Sequence, residues 1–306
     1  MEEGVDMEKG GEVDYAVIIP TLNECEGIGK VIEEALSAGV PREAILVVDG
    51  GSADCTIDEA AKRGVKVIKQ RGRGKADAIK TGVEAVDKPV VVVIDGDFTY
   101  PAYRIPQLVK ALAESRAVEV IGARKYIEPG AQSAIYSFGN KALSWWFNLL
   151  MGTRLSDVLS GFYAIRRDAV VDAAGVARGF SIEVELAANA ASAGEVVEVP
   201  VEYRRRLGKK KLGVRHGLEI AWSSFKLAWY YNPLFVIAAL GALLLFPGLG
   251  IAGWVLFMYA LRHVEHWVWG IISIVMVSTG LQFLALGAVA LYLKRMERRL
   301  RILLTG

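Results

Sequence analysis

The sequence predicts an α/β domain built on a parallel-type sheet, followed by a two-helix transmembrane hairpin. Three observations predict it. From Tyr15 onward, short apolar runs alternate with helical segments, the pattern of a sheet covered on both faces. Charge is unevenly spread, since residues 231–306 hold only 6 of the 36 Lys and Arg and 2 of the 34 Asp and Glu. Two charge-free stretches, 227–261 and 267–293, fall in or run into that same region.

The α/β domain is expected over 15–211, behind an acidic, Gly-rich tail at 1–14. No apolar stretch follows a basic start, so no signal peptide is expected. Strands are predicted at 16–19, 45–48, 65–68 and 90–94, the last being five β-branched residues in a row. Helices are predicted at 28–36, 53–63 and 76–85. Ligands of such sheets bind beyond the carboxyl ends of the strands. The polar segments there are Pro20-Thr21-Leu22-Asn23-Glu24, Asp49-Gly50-Gly51-Ser52, Gln70-Arg71-Gly72-Arg73-Gly74-Lys75 and Asp95-Gly96-Asp97.

Further strands are predicted at 118–121 and 195–203, with a helix at 180–193. Residues 133–151 carry Tyr136, Phe138, Trp145, Trp146, Phe147 and Leu149. So apolar a helix suits either a bilayer surface or a buried core. A basic run spans 204–211, and Leu218, Trp222, Phe225 and Trp229 then form an apolar stripe, so 212–230 is read as an interfacial helix. The spans are placed at about 234–261 and 267–293, each above the roughly 20 residues a crossing needs. Pro247 is read as a kink in one tilted span. The basic run and the basic tail at 294–306 predict an integral membrane protein with its α/β domain on the cytosolic side.

A net charge of +2 argues against a nucleic-acid binder. Cys25 and Cys55 give no disulfide framework and no metal spacing, and are read as buried or free thiols. His263 and His266 lack a partner cluster and are not read as ligands.

Asp95 and Asp97, one residue apart at a strand end, form an oxygen-ligand site for Mg²⁺ or Mn²⁺. Such a metal neutralises a diphosphate as leaving group. The glycines at 72 and 74 precede a helix and would let backbone approach a phosphate, although a plain basic loop gives the same letters. Arg204, Arg206 and Lys211 suit either anionic lipid in general or one lipid phosphate.

In order, these motifs resemble the family 2 glycosyltransferases of the GT-A fold, a Rossmann-like architecture. Asp157-Val158-Leu159-Ser160-Gly161-Phe162, Gly179-Phe180-Ser181-Ile182-Glu183-Val184-Glu185, and Val199-Pro200-Val201-Glu202-Tyr203-Arg204 with the basic run behind it narrow the resemblance. They are similar to those of the dolichyl- or polyprenyl-phosphate sugar synthases. The resemblance covers about 15–230. It implies a hexose transfer from a nucleotide-diphosphate sugar to dolichyl or polyprenyl phosphate, with GDP-mannose favoured over UDP-glucose or UDP-N-acetylglucosamine. It implies that Pro20, Leu22, Glu24 and Asp49 line the nucleotide, with Lys75 at the base or diphosphate. Asp95, Gly96 and Asp97 would hold nucleotide and metal. Arg124, Arg204, Arg206 and Lys211 would hold phosphates, and Asp157 would lie near the transferring sugar or the acceptor phosphate. The chain departs from the family at Gly50, Thr99 and Lys210. A polysaccharide synthase would carry a Gln-x-x-Arg-Trp motif, which is absent, and a non-catalytic scaffold would be expected to lose Asp95 or Asp97.

Overall fold

The computed structural model describes residues 13–174, 182–208 and 233–305. The 1–12 part of the acidic tail, Lys211 and the expected interfacial helix at 212–230 lie outside the described residues. The chain divides into two units, 1–224 and 225–306.

In the first unit the chain runs β1 (Tyr15–Thr21), α1 (Cys25–Ser37), β2 (Ile45–Asp49), α2 (Thr56–Lys62), β3 (Lys66–Lys69), α3 (Lys75–Glu84) and β4 (Val90–Ile94). These match the expected order, with β4 at its expected bounds and the other boundaries moved by at most three residues. There follow α4 (Ile105–Glu114), β5 (Ala117–Ile127), α5 (Ala134–Met151), β6 (Phe162–Arg166), α6 (Arg167–Ala174), α7 (Ile182–Ala193) and β7 (Glu195–Tyr203).

The seven strands form one sheet in the order β3-β2-β1-β4-β6-β5-β7. β1, β2, β3 and β4 pair in parallel, whereas β6 runs antiparallel to both β4 and β5. The sheet is therefore mixed rather than wholly parallel, and β6 was not expected. All five residues of β2 and of β4 are buried, as continuous apolar strands covered on both faces should be. The register sets Thr21 opposite Asp49, and Gln70 N–H donates to the Asp49 carbonyl just past β3. The segments after β1, β2, β3 and β4 thus share one edge.

Cys25 and Cys55 are joined in a disulfide with Cα atoms 5.1 Å apart, which corrects their reading as separate thiols. Cys25 opens α1 and Cys55 caps α2, so folding brings together cysteines 30 residues apart.

α5 turns one apolar face inward and a second outward. Phe147 is 1% exposed and Leu150 is buried, while Phe138 is 75% and Trp145 64% exposed. One side of the helix is thus buried in the core, and the other is exposed.

The second unit is a pair of helices, α8 (Pro233–Arg262) and α9 (Trp267–Thr305). They contain apolar stretches Val236–Arg262 and Trp267–Ala290, long enough to cross a membrane. Glycines let them approach closely: a β-carbon on Gly280 would meet Gly241 O at 2.9 Å and Leu245 N at 2.8 Å. Pro247 lies inside α8, which continues through it. α9 runs to Thr305, so the basic segment from 294 to 305 is helical.

Candidate functional site

The site is built at the shared sheet edge. Past β1, Asn23 takes a left-handed φ of 51°, and its side chain accepts from Ala53 N–H while its own N–H donates to Ser52 Oγ. Glu24 N–H donates to Thr56 Oγ1, so the loops after β1 and β2 are laced together beside the disulfide. Asp49 organises the second loop. Its Oδ2 accepts Gly51 and Ser52 N–H, both at 2.8 Å, and its Oδ1 accepts Ser52 Oγ at 2.5 Å. Pro20 sits opposite Val48 in the β1–β2 register, and Leu22, just past β1, is exposed.

The glycine loop before α3 is closed on itself. Asp77, in the first turn of α3, accepts Arg73 N–H at 2.7 Å, and a β-carbon on Gly72 would clash with that carboxylate at 2.1 Å. Its conformation is therefore held by Asp77.

Asp95 and Asp97 follow β4. Asp95 Oδ1 lies 2.5 Å from Lys75 Nζ, while its Oδ2 lies where a β-carbon on Gly161 would be, 2.1 Å away. Asp97 Oδ1 accepts Thr99 N–H at 3.0 Å and Thr99 Oγ1 at 2.5 Å. Its Oδ2 lies 3.2 Å from Arg206 Nη1. Burial and then the charge of Asp95 push the Asp97 carboxyl up. Gly96 sits between them, packed so that a β-carbon would meet Thr21 Cγ2 at 2.9 Å. Phe98, next in the chain, holds φ at +66°, a conformation costly for a large side chain.

Two neighbouring carboxylates, each already with a cation against it, form a hard-oxygen pair that suits a divalent metal. No cluster of three or more His, Cys, Asp or Glu able to hold a metal occurs among the described residues. Water or phosphate oxygens would complete the coordination.

The segment after β7 crosses this pair. Arg204 N–H donates to Thr99 O at 2.9 Å and Leu207 N–H to Asp97 O at 3.2 Å. Arg206 is thereby placed between Asp97 and Glu24, with which it also forms an ion pair. Arg204 points elsewhere: it pairs with Glu34 at 2.8 Å and lies over the Phe98 ring, 4.6 Å from its centroid. The structure thus gathers Glu24, Lys75, Asp95, Asp97 and Arg206, and separates Arg204 from them.

Arg124 and Asp157 form a buried pair. Arg124 donates through its backbone N–H at 2.9 Å, Nε at 2.7 Å and Nη2 at 2.6 Å. Asn140 Nδ2 also donates to Asp157, and Glu198 accepts the Ser156 and Asp157 N–H groups. Burial opposes ionisation of Asp157, but the hydrogen bonds and charge of Arg124 outweigh it and hold the carboxyl low. Asn140, Glu198 and Glu34 were not singled out in the sequence, and no local pattern marks them.

Residues 16–170 match the model of glycosyl transferase family 2. The chain is 32% identical to glycosyltransferase AglJ of Haloferax volcanii, over 90% of this chain and 91% of that one. It is 34% identical to the dolichyl-phosphate hexose transferase of the same organism, over 65% of this chain and 86% of that one. Among solved structures it resembles glucosyl-3-phosphoglycerate synthase from Mycobacterium tuberculosis in complex with Mn²⁺, UDP-glucose and glycerol 3-phosphate. The TM-score is 0.54 at 20% identity, covering 71% of this chain and 79% of that one.

Proposed function

Because the chain belongs to glycosyl transferase family 2, we propose that it moves a hexose from a nucleotide-diphosphate sugar to dolichyl or polyprenyl monophosphate at the cytosolic membrane face. The observation that carries this reading is the carboxylate pair Asp95 and Asp97, held at one sheet edge with Lys75 and Arg206 against it. The two apolar helices and the name of the dolichyl-phosphate relative support a lipid acceptor.

Asp95 and Asp97 would hold Mg²⁺ or Mn²⁺, which supplies charge neutralisation for the departing nucleotide diphosphate. Pro20, Leu22, Glu24, Asp49 and Gly96 would shape the nucleotide cradle. Lys75 would turn to the diphosphate, and Arg206 would offer its guanidinium to a phosphate once donor displaces it from Asp97. Arg124 is already engaged with Asp157, so that pair would support the acceptor side through its rigidity. Arg204 and Lys211 would attract the lipid phosphate.

A phosphate monoester has a second pKa of about 6 and is mostly dianionic at neutral pH. It is its own nucleophile, so the protein needs no general base and works by orientation and charge stabilisation. In-line attack inverts the anomeric centre. The outward apolar face of α5 would rest in the bilayer interface, near a water-insoluble acceptor.

The test is a donor panel. Full-length protein in detergent, with Mg²⁺ or Mn²⁺ and polyprenyl phosphate, is mixed in turn with labelled GDP-mannose, UDP-glucose and UDP-N-acetylglucosamine. GDP-mannose is the expected donor. Label should enter the organic phase from one donor and be lost in Asp97→Ala; no label from any donor would count against the reading.

A further inference from the structure

Lys75 does not rest on Asp95 alone. Its Nζ also lies 2.6 Å from Oε1 of Glu183, in the first turn of α7. Glu183 is 8% exposed. It comes from an element more than 100 residues downstream in the chain, outside the four sheet-edge segments. Beneath it lie Glu119 of β5, 1% exposed, and Tyr163 of β6. Glu119 Oε2 and the Tyr163 hydroxyl have no hydrogen-bond partner among the described residues. The register sets Ile121 opposite Tyr163 and Glu119 opposite Ile165, so both polar groups share one sheet face. No other cation is paired with Glu183 among the described ion pairs.

A single ammonium between two carboxylates can leave one and keep the other. If Asp95 turns to donor and metal, Lys75 loses that partner, and a lysine with no second anchor has a long flexible stem to reorder. A partner fixed on α7 removes that freedom. We propose that Glu183 is a positioning residue: it holds the Lys75 ammonium at the sheet edge, so that Lys75 passes from Asp95 to the donor diphosphate without leaving the site. The proposal rests on the nucleotide-sugar reading and deepens it by giving α7 a part in donor binding.

The experiment measures GDP and UDP binding by calorimetry, with the full chain in detergent and Mn²⁺ present. The variants are Glu183→Gln, Glu183→Asp, Lys75→Gln and the Glu183→Gln/Lys75→Gln double variant, with thermal unfolding of each. Glu183→Gln keeps the shape and removes the charge. It should weaken binding of the preferred nucleotide about tenfold, the scale of one charge-assisted hydrogen bond. Glu183→Asp should recover part of that loss. In the Lys75→Gln background, Glu183→Gln should add nothing, because it acts through Lys75. Where transfer is measured, donor KM should rise with kcat within about twofold, as for loss of uniform binding.

Unchanged nucleotide affinity in a folded Glu183→Gln protein would overturn the proposal. So would a loss that simply adds to that of Lys75→Gln. If wild type binds nucleotide and these variants behave as expected, yet no lipid is labelled, the inference stands and the lipid-acceptor reading fails. A wild type that binds neither nucleotide overturns both.

Discussion

Gly161 and Asp95 are in direct contact: the position a β-carbon would take on Gly161 lies 2.1 Å from Asp95 Oδ2. Gly161 opens onto β6, and β6 pairs with β4, whose end carries Asp95. The glycine of the Leu-Ser-Gly-Phe segment is therefore required by a carboxylate 66 residues away in sequence.

Gly161→Ala should displace Asp95 while leaving the apolar strands paired. A displacement on the order of 1 Å at a reacting centre can cost about 10²-fold in rate. We expect kcat/KM for transfer to fall by about that factor, with the unfolding transition retained. Steady-state kinetics beside circular dichroism checks this.

Breaking the Arg124–Asp157 pair should destabilise the domain rather than only slow it. Their side chains are 11% and 4% exposed, and removing one partner of a buried pair costs about 3–5 kcal/mol. Asp157→Asn should lower the unfolding midpoint accordingly. The Asp157 carboxyl is depressed in the folded state, so its contribution is present above the unfolded value of about 3.9 and is lost as pH falls through the folded one. The stability gap between wild type and Asp157→Asn should close as pH drops below about 4. A gap constant from pH 7 to pH 2 would assign the stabilisation to something else.

Glu119 behaves in the opposite sense. Burial, helped by the charge of Glu183, pushes its carboxyl up to about 8. The folded protein keeps a proton that the unfolded chain releases near pH 4.5, so the contribution is full below that pH and declines as pH rises to about 8. Glu119→Gln should remove this decline. Denaturant unfolding from pH 5 to pH 9 should show the variant gaining on wild type with rising pH.

The Cys25–Cys55 disulfide closes a loop with a sequence separation of 30. The chain-entropy relation gives about 3–4 kcal/mol for a loop of that length. Thiol titration of the denatured protein should find none before reduction and two after it. Reduction should lower the unfolding midpoint.

The sheet edge was legible because β1, β2 and β4 each carry an apolar run with polar residues close behind it, as at 90–97. β6 escaped notice because Phe162–Arg166 is a short run whose partners, Val90–Ile94 on one side and Glu119–Ile121 on the other, lie far away in sequence. The roles expected of single residues came from motif order, which does not report what each charge touches. Arg206 reaches Glu24 across 182 residues, whereas Arg204, two positions earlier, turns to Glu34. Strand alternation would set residues two apart on one side, but both lie past the end of β7, where the chain is irregular and no local pattern names either partner. The disulfide was missed for the same reason, since two cysteines 30 apart carry no local signal.

The central claim is that the acceptor is a lipid monophosphate attacking through its own oxygen. The most direct measurement offers the protein one labelled donor, the one that the panel identifies, with polyprenyl phosphate, the corresponding polyprenol, or 3-phosphoglycerate. Label should enter the organic phase with polyprenyl phosphate alone, in a product whose anomeric configuration is opposite to that of the donor. A water-soluble product from 3-phosphoglycerate, or transfer to the polyprenol, with none to the lipid phosphate, would contradict the account.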